Sequence, residues 1–557
     1  MDKRYFFERN LLSLSNSNSD LCKRLTAAET SFAHYTFLES RSGELIPALT
    51  DYSGKAHPLH SMIDPAKEGT RLVSTIEDAG FLIILGLGGA FHISAALARK
   101  DILKIVIVDF NIHGIAELLA SKEYVDIFHD KRVSLIIDPP SSWIEEYIIN
   151  NYKPVLFSGI SLRPLRSRTV LDLEKFNAVC DEVKNAIDRV SNDFSVQSLF
   201  GKRWFSNIVK NLRTAELQKS FIPTIQHAAI IAAGPSLDIQ LPRLKEASSN
   251  VFVISTDTAL PLLLASEIIP DAIVSIDCQH FSSYHFIGNS QKKIPLFLDM
   301  ASPATVTAQS ENLHFFTSGH PLSQYISQYW KHFPLVDTSG GNVSYAALSL
   351  AHSLGAKVID LYGADFSYPQ GNTYARETYI HKLFANNQTR LLPIESQFDH
   401  FLFRNTTLQK VTTDKTWYYK TNMLNTYRKH FEHKCSVISR KVHQIEGIGA
   451  SLEIQKNNFS EASNIISPFS TGMSSMTAKE FLAHYFDDIQ NLHPAQDALL
   501  NVEQAGYAPS KEHHLMLTLM PLAASFKKEN SKEDATTIFE MTKDYALQKI
   551  ESVLTEY

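Results

Sequence analysis

Cysteine is scarce: Cys22, Cys180, Cys278 and Cys435 stand far apart, and no CxxC pair is present to hold zinc or cycle through a disulfide. A reducing compartment fits that pattern. Also missing is any run of about 18 apolar residues, the length that a membrane-crossing helix needs. The opening stretch MDKRYFFERNLLSLSNSNSD is interrupted by charged or polar residues every few positions, unlike a signal peptide. The expectation is a cytoplasmic protein with no membrane partner. No charge of one sign dominates either, because 53 Lys and Arg stand against 59 Asp and Glu, a net charge of -6, without a dense basic block. Broad electrostatic nucleic-acid binding is thereby disfavoured, and a small or mostly neutral partner fits better.

What is there is a long chain of ordinary globular composition. Its 557 residues, 44% hydrophobic and 20% charged, exclude a single small fold and do not suit long disorder. At roughly 100 to 200 residues per domain, about three to five domains are expected.

Residues 1–78 are mixed and polar and read as a lead-in, closing in HSMIDPAKEGTR, where Asp64-Pro65 opens a short helix. Residues 79–165 form the first α/β domain. There FLIILGLGGAFHISAALARKDILKIVIVDFN gives strand, Gly-rich turn, helix and strand, and VSLIID and KPVLFSG extend the same sheet. Residues 166–224 are a helical connector closed by Pro223. The β/α alternation restarts over 225–450 with AAIIAAG, VFVIST, AIVSID, IPLFLD, HFFTSG and KVIDLYG, and 367–450, rich in Tyr, Asn, Thr and His, reads as long ordered loops around a site. After the linker SPFSTGMSSM, residues 470–557 read as a helical domain or oligomer contact. The fold class is therefore α/β, with two Rossmann-like open sheets in tandem followed by a helical C-terminal region.

Four groups of residues carry the chemistry. Gly86-Leu-Gly88-Gly89 follows a strand and precedes a helix, and Asp109 ends the next strand, so this turn is a second candidate ligand site for a phosphate or a ribose. Phe91 stands where the third glycine of a dinucleotide motif would be, and a tight turn without ligand explains the same residues. Gly234-Pro235-Ser236 follows AAIIAA, and the next two strands end in Ser255-Thr256-Asp257 and Ser275-Ile276-Asp277. Polar groups at the carboxyl ends of successive strands line the edge where open α/β sheets bind ligands. Each Asp could equally cap a following helix. Ser339, Gly340, Gly341 and Asn342 precede the apolar helix YAALSLAHSLG and make a second nucleotide cradle, of which an N-cap needs one residue. Asp365, Tyr368 and Tyr374 follow KVIDLYG, and two phenols near a carboxylate are suited to donate to a departing phosphate.

GPSLD, PDAIVSID, SGGNVSYAALSLAHSLGAKVIDLYGADFSYPQGNTYA, HSMIDPAKEG and GLGG together resemble the Maf motility-accessory family of flagellated bacteria, over residues from about 55 to 450. The central domain is also similar to the pterin-diphosphokinase-like (MptE-like) family and to bacterial sialyltransferases that use CMP-activated donors. The resemblance implies a glycosyltransferase that moves a nonulosonic acid of the pseudaminic or legionaminic type from a CMP donor to Ser or Thr of flagellin. It places Gly234, Pro235 and Ser236 on the nucleotide turn, Ser339 and Gly340 on the Ser/Thr-Gly cradle, and Tyr368 and Tyr374 on the pair that steadies CMP. His400 falls at the place of the general base, with His381 as competitor. Ala233 stands where many sialyltransferases carry Asn, and Thr373-Tyr374-Ala375 stands where many Maf sequences read THA or SHA.

No His, Asp and Glu cluster has metal-ligand spacing, and no cofactor is required, although Asp257 and Asp277 leave room for a divalent ion such as Mg²⁺. The expected partners are the nucleotide sugar, flagellin as acceptor and a second copy of the chain. Two other functions compete: a pterin diphosphokinase using ATP and Mg²⁺, and a non-catalytic flagellin-binding accessory protein.

Overall fold

The computed structural model describes the chain except residues 1–2, 16–17, 29–33, 51–53, 78, 219, 289–291, 405–406, 415, 439, 455–468 and 493–509. Asp78 at the first expected boundary, Ser467 and Pro468 at the head of the linker, and 493–509 of the C-terminal region lie outside the described residues. The chain divides into two compact units, Met1–Gly201 with Asn491–Asp544, and Lys202–Gln490 with Tyr545–Tyr557.

The first unit begins with helices Lys3–Ser15 and Ser19–Ala28 and an antiparallel sheet of β1 (Tyr35–Glu39), β2 (Leu45–Thr50) and β3 (Ala56–Pro58). The stretch read as a polar lead-in is thus structured. It holds because Phe7, Leu14, Leu21 and Leu25 join the core beneath, and because Asn10 donates to the carbonyls of Leu119 and Lys122 at 2.7 and 2.8 Å. Next come β4 (Phe81–Leu85), β5 (Lys104–Asp109), β6 (Val133–Ile137) and β7 (Ile160–Pro164), a parallel sheet in the order β6-β5-β4-β7. Its strands are buried on both faces, as in a covered parallel sheet: Leu82 and Ile84 of β4 enter one core, and Phe81, Ile83 and Leu85 the other. Fully burying each such side chain contributes roughly 1.5 to 3 kcal/mol.

The segment KPVLFSG, expected as a strand, is a turn, and the strand follows it at Ile160. Val155 and Phe157 are buried without ladder bonds, Pro154 has no N–H to give, and pairing with β4 starts where Phe81 N–H donates to Gly159 O at 3.0 Å. Apolarity alone could not separate a buried turn from a buried strand. The connector holds a short helix, Arg168–Leu171, and a long one, Leu173–Leu217, that contributes its first part to this unit and its remainder to the second.

In the second unit, β8 (Phe221–Ile222) is followed by β9 (His227–Ile231), β10 (Phe252–Thr256), β11 (Ala272–Ser275), β12 (Leu296–Asp299), β13 (Leu313–Phe316), β14 (Val358–Tyr362), β15 (Tyr368–Pro369), β16 (Gln409–Thr412), β17 (Trp417–Lys420), β18 (Lys441–Gln444) and β19 (Phe469–Ser470). Seven of these form a parallel sheet in the order β13-β12-β11-β10-β9-β14-β18. Again the strand residues alternate between two cores, Ala228 and Ile230 on one side, Ala229 and Ile231 on the other.

Residues 367–450, expected as loops, instead hold the helices Tyr379–Asn387, Ile394–Phe403 and Asn422–Val437 and the small antiparallel sheet β15-β17-β16. They are held by aromatic pairs such as Phe384–Phe398 at 5.2 Å and Trp417–Tyr419 at 5.5 Å between ring centroids, which carry no aliphatic periodicity to read. Helices Ala478–Gln490, Lys511–Glu529 and Ala535–Leu554 complete the helical C-terminal region. The α/β class with parallel sheets and a helical C-terminal region is the one expected. Among the described residues, no helix is long and apolar enough to cross a membrane.

Candidate functional site

From β9 the chain builds outward through β10 to β13 and then returns to place β14 on the other side of β9. The carboxyl ends of β9 and β14 therefore frame the switch point where open α/β sheets bind ligands. Gly234 lies after β9 and Asp365 after β14. A Cβ on Gly234 would stand 2.4 Å from both Asp365 Oδ2 and Gly363 O, so only glycine lets these two turns meet, and Gly234 N–H donates to Gly363 O at 2.9 Å. Pro235 is the N-cap residue of the helix Ser236–Ala247.

Ser236 and Asp365 are interlocked. The Ser236 N–H donates to Asp365 Oδ2 at 2.8 Å, its hydroxyl donates to Oδ1, and Ile448 N–H donates to the same hydroxyl oxygen at 2.8 Å. A Cβ on Gly449 would lie 2.4 Å from Asp365 Oδ1, so the Gly447–Gly449 segment rests directly on the pair. Burial pushes the Asp365 carboxyl up to about 6, against the pull of both Ser236 hydrogen bonds. Ser236, expected at the nucleotide, gives its hydroxyl hydrogen and its N–H to Asp365.

A row of carboxylates continues along the sheet edge. Asp257 follows β10 and accepts from the Ser275 hydroxyl at 2.6 Å and from Thr258 N–H and hydroxyl at 2.7 and 3.0 Å. Asp277 follows β11, accepts from Gln279 N–H at 2.8 Å, and is raised by burial and by the Asp257 charge. Asp299, which the sequence reading did not single out although it ends the segment IPLFLD, closes β12 and is pushed up to about 6 by burial.

The Ser339–Asn342 segment is a structured helix entry. Asn342 caps the helix Val343–Ser353 by accepting from Tyr345 N–H at 3.0 Å, and a Cβ on Gly340 would fall 2.1 Å from the Tyr345 ring. Ser339 N–H donates to Asp337 Oδ1 at 2.9 Å, while Tyr345 Oη and Lys434 Nζ each donate to Oδ2 at 2.8 Å. Burial works against the Asp337 charge, yet the Lys434, Ser339 and Tyr345 hydrogen bonds hold its carboxyl well below the usual range. Gly341 has φ +75°, and a Cβ there would meet Tyr427 Cε1 at 3.0 Å.

Tyr427 links this entry to the phenol pair. Burial pushes Tyr374 up to about 12, with Tyr368, Asp257 and Tyr427 adding to the shift and Arg404 opposing it. Tyr368, opposite Tyr419 across β15 and β17, is raised by burial and eased by Arg404. Tyr368, Tyr374, Tyr427, Arg404 and Asp257 thus share one electrostatic neighbourhood, in which the phenols keep their protons at neutral pH. Tyr427 and Arg404 were missed in the sequence because a lone aromatic or a lone arginine makes no motif. His400 is exposed on the helix Ile394–Phe403, whose inner face is Phe398 and Leu402. His381 packs near Phe398 at 6.0 Å between ring centroids and is lowered by burial, with Asp238 and Glu377 opposing. Neither histidine is among the groups that act most strongly on Tyr374. Among the described residues, no group of three or more His, Cys, Asp and Glu has metal-holding geometry.

The first unit has its own switch point, between β4 and β7, and there the Gly86 turn is filled from within. Cβ atoms on Gly86 and Gly88 would meet Leu165 Cδ1 at 3.1 and 2.8 Å, and Gly89 N–H donates to His60 Nε2 at 2.9 Å. Asp109 accepts from Leu87 N–H at 3.0 Å and from Arg168 Nη2 at 3.0 and 3.2 Å. Its oxygens serve the protein's own donors.

Residues 202–371 match the family described as 6-hydroxymethylpterin diphosphokinase MptE-like. The matched segment is similar to that family and contains β9 to β14 with both the Gly234 and the Gly340 turns. The structure of a Maf glycosyltransferase from Magnetospirillum magneticum AMB-1 aligns with 100% of this chain and 96% of that chain, at a TM-score of 0.56 and 13% identity. The fold is similar to that Maf fold over the whole chain. Two uncharacterized proteins of Treponema pallidum (strain Nichols) are 39% identical over 121 residues, 22% of this chain and 42% of theirs, and 29% identical over 199 residues, 34% and 35% respectively. The chain therefore spans less than half the length of either relative.

Proposed function

We propose that the second unit is a glycosyltransferase that moves a nonulosonic acid from a CMP-activated donor to a Ser or Thr hydroxyl of flagellin. The observation that carries this reading is the Tyr368, Tyr374 and Asp257 neighbourhood beside the switch point of the seven-stranded sheet. The Maf fold and the sequence resemblance support it. In this reading the acceptor oxygen attacks the anomeric carbon and the bond from that carbon to the CMP phosphate oxygen breaks. The phenols of Tyr368 and Tyr374 donate to the phosphate as its charge grows. The acceptor proton passes to His400, with His381 as the competing base. Gly234 to Ser236 and Ser339 to Asn342 border the nucleotide, and the helical C-terminal region serves the acceptor or a second copy of the chain.

The test is transfer from a CMP-activated pseudaminic or legionaminic acid to purified flagellin, read by mass. Wild type adds the sugar, Tyr368→Phe with Tyr374→Phe loses transfer, and His400→Ala loses it with CMP binding kept. A double variant that still adds the sugar to flagellin as wild type does overturns the phenol mechanism. If His381→Ala loses transfer and His400→Ala keeps it, the base is His381.

A second reading is favoured by the MptE-like match and by the Asp257 charge acting on Asp277. It is pyrophosphate transfer from ATP to a pterin with Mg²⁺ on these carboxylates. Thermal shifts with CMP, CDP, UDP, ATP and S-adenosylmethionine separate the two, because a ligand of the folded state raises its stability. A shift with ATP alone, together with activity lost in EDTA, favours the kinase.

A further inference from the structure

The first unit holds a cavity of about 250 Å³ beside the Gly86 turn, away from its filled switch point. Its walls are Phe37, Glu44 and Leu45 from the β1–β2 hairpin on one side, and Gly89, Lys122 and Tyr124 on the other. The ammonium of Lys122 donates to Gly89 O at 2.9 Å and lies 4.6 Å from the Phe91 ring centroid and 5.6 Å from that of Tyr124. An ammonium carries three hydrogens, so two remain without a hydrogen-bond partner among the described residues. Burial lowers this lysine, an indication of how poorly water serves it, and Glu44 opposes that shift without approaching to ion-pair distance.

The surroundings select the anion. Backbone amides favour a phosphate, but four of the five N–H groups over residues 86–90 are spoken for: Gly86 donates to Val108 O, Leu87 to Asp109, Gly89 to His60 and Ala90 to Leu87 O. Glu44 at the mouth adds a negative charge that a dianion feels twice as strongly as a monoanion. Phe37, Leu45 and the Tyr124 ring offer apolar surface to the remainder of a ligand. We propose that this cavity binds a small organic monocarboxylate, its carboxylate on Lys122 and its apolar body between Phe37, Leu45 and Tyr124.

The probe is 4-fluorobenzoate, followed by ¹⁹F line broadening on the full chain, with benzoate and phenylphosphonate as competitors. Broadening that benzoate reverses and phenylphosphonate leaves in place is expected. Lys122→Met weakens binding at least tenfold, and Glu44→Gln, an exposed site, lets phenylphosphonate compete. Absence of broadening at millimolar concentration, equal competition by phenylphosphonate on the wild type, or unchanged binding in a folded Lys122→Met variant overturns the proposal. If Lys122→Met does not fold, Phe37→Ala replaces it: a fivefold or greater loss supports the site, and unchanged affinity removes it.

Discussion

Replacing Ser236 with Ala separates a structural serine from a ligand-binding one. The substitution removes the hydroxyl that donates to Asp365 and accepts from Ile448 N–H, and it leaves both partners in a region where Ser236 is 1% and Asp365 5% exposed. A hydrogen bond to a charged group is worth roughly 1.5 to 3 kcal/mol and a neutral one about 1 kcal/mol, so a loss of about 3 kcal/mol is expected in the second unit. Deprived of a donor, Asp365 should titrate at higher pH still. The assay is unfolding of the protein without nucleotide, paired with hydrogen exchange at the Ile448 amide. The variant should melt earlier and exchange Ile448 faster before any ligand is added. Unchanged stability and exchange, with nucleotide binding lost, would refute this reasoning and return Ser236 to the nucleotide.

Asp299 and Asp365 sit at about 6, above the ordinary carboxyl value of 3.8, so the native state binds more protons than the unfolded one between those values. Stability should fall as pH rises through that window, by up to about 3 kcal/mol for each group, and Asp365→Asn should flatten the slope measured by denaturation between pH 4 and pH 7. Gly234→Ala forces a methyl against a backbone carbonyl and a carboxylate at 2.4 Å. It should lower stability by roughly 1 to 3 kcal/mol or abolish soluble expression, and a neutral thermal shift would contradict the close approach. Arg168→Met strands the buried Asp109 charge and should destabilise the first unit by about 3 to 5 kcal/mol in thermal unfolding, an effect that Asp109→Asn in the same chain should partly reverse.

Much of the fold was legible because parallel strands buried on both faces are nearly continuous apolar runs, as FLIIL and KIVIVD are. The Gly-rich turns were legible as well, since close backbone approach admits no other residue at Gly234. What those turns hold was hidden. Nothing near Asp365 in sequence announces that Ser236 and the Gly447–Gly449 segment will meet it, and nothing near Asp109 announces Arg168. The aromatic-held segment after residue 367 was misread for a related reason: rings pack in pairs by geometry and leave no period in the sequence.

The hydrogen bond between Ile448 and Ser236 spans 212 positions of sequence. During synthesis from the N-terminus, the switch-point turns of β9 and β14 are complete long before the strand and loop that cover them. Until β18 and residues 447–450 emerge, β14 is an open edge, and the Ser236–Asp365 pair lacks the segment that rests on it. The segment that matches the MptE-like family, 202–371, stops short of that cover. Expressed alone it would expose a strand edge and a poorly shielded carboxylate, so the smallest autonomous fragment built on this sheet should extend past residue 450.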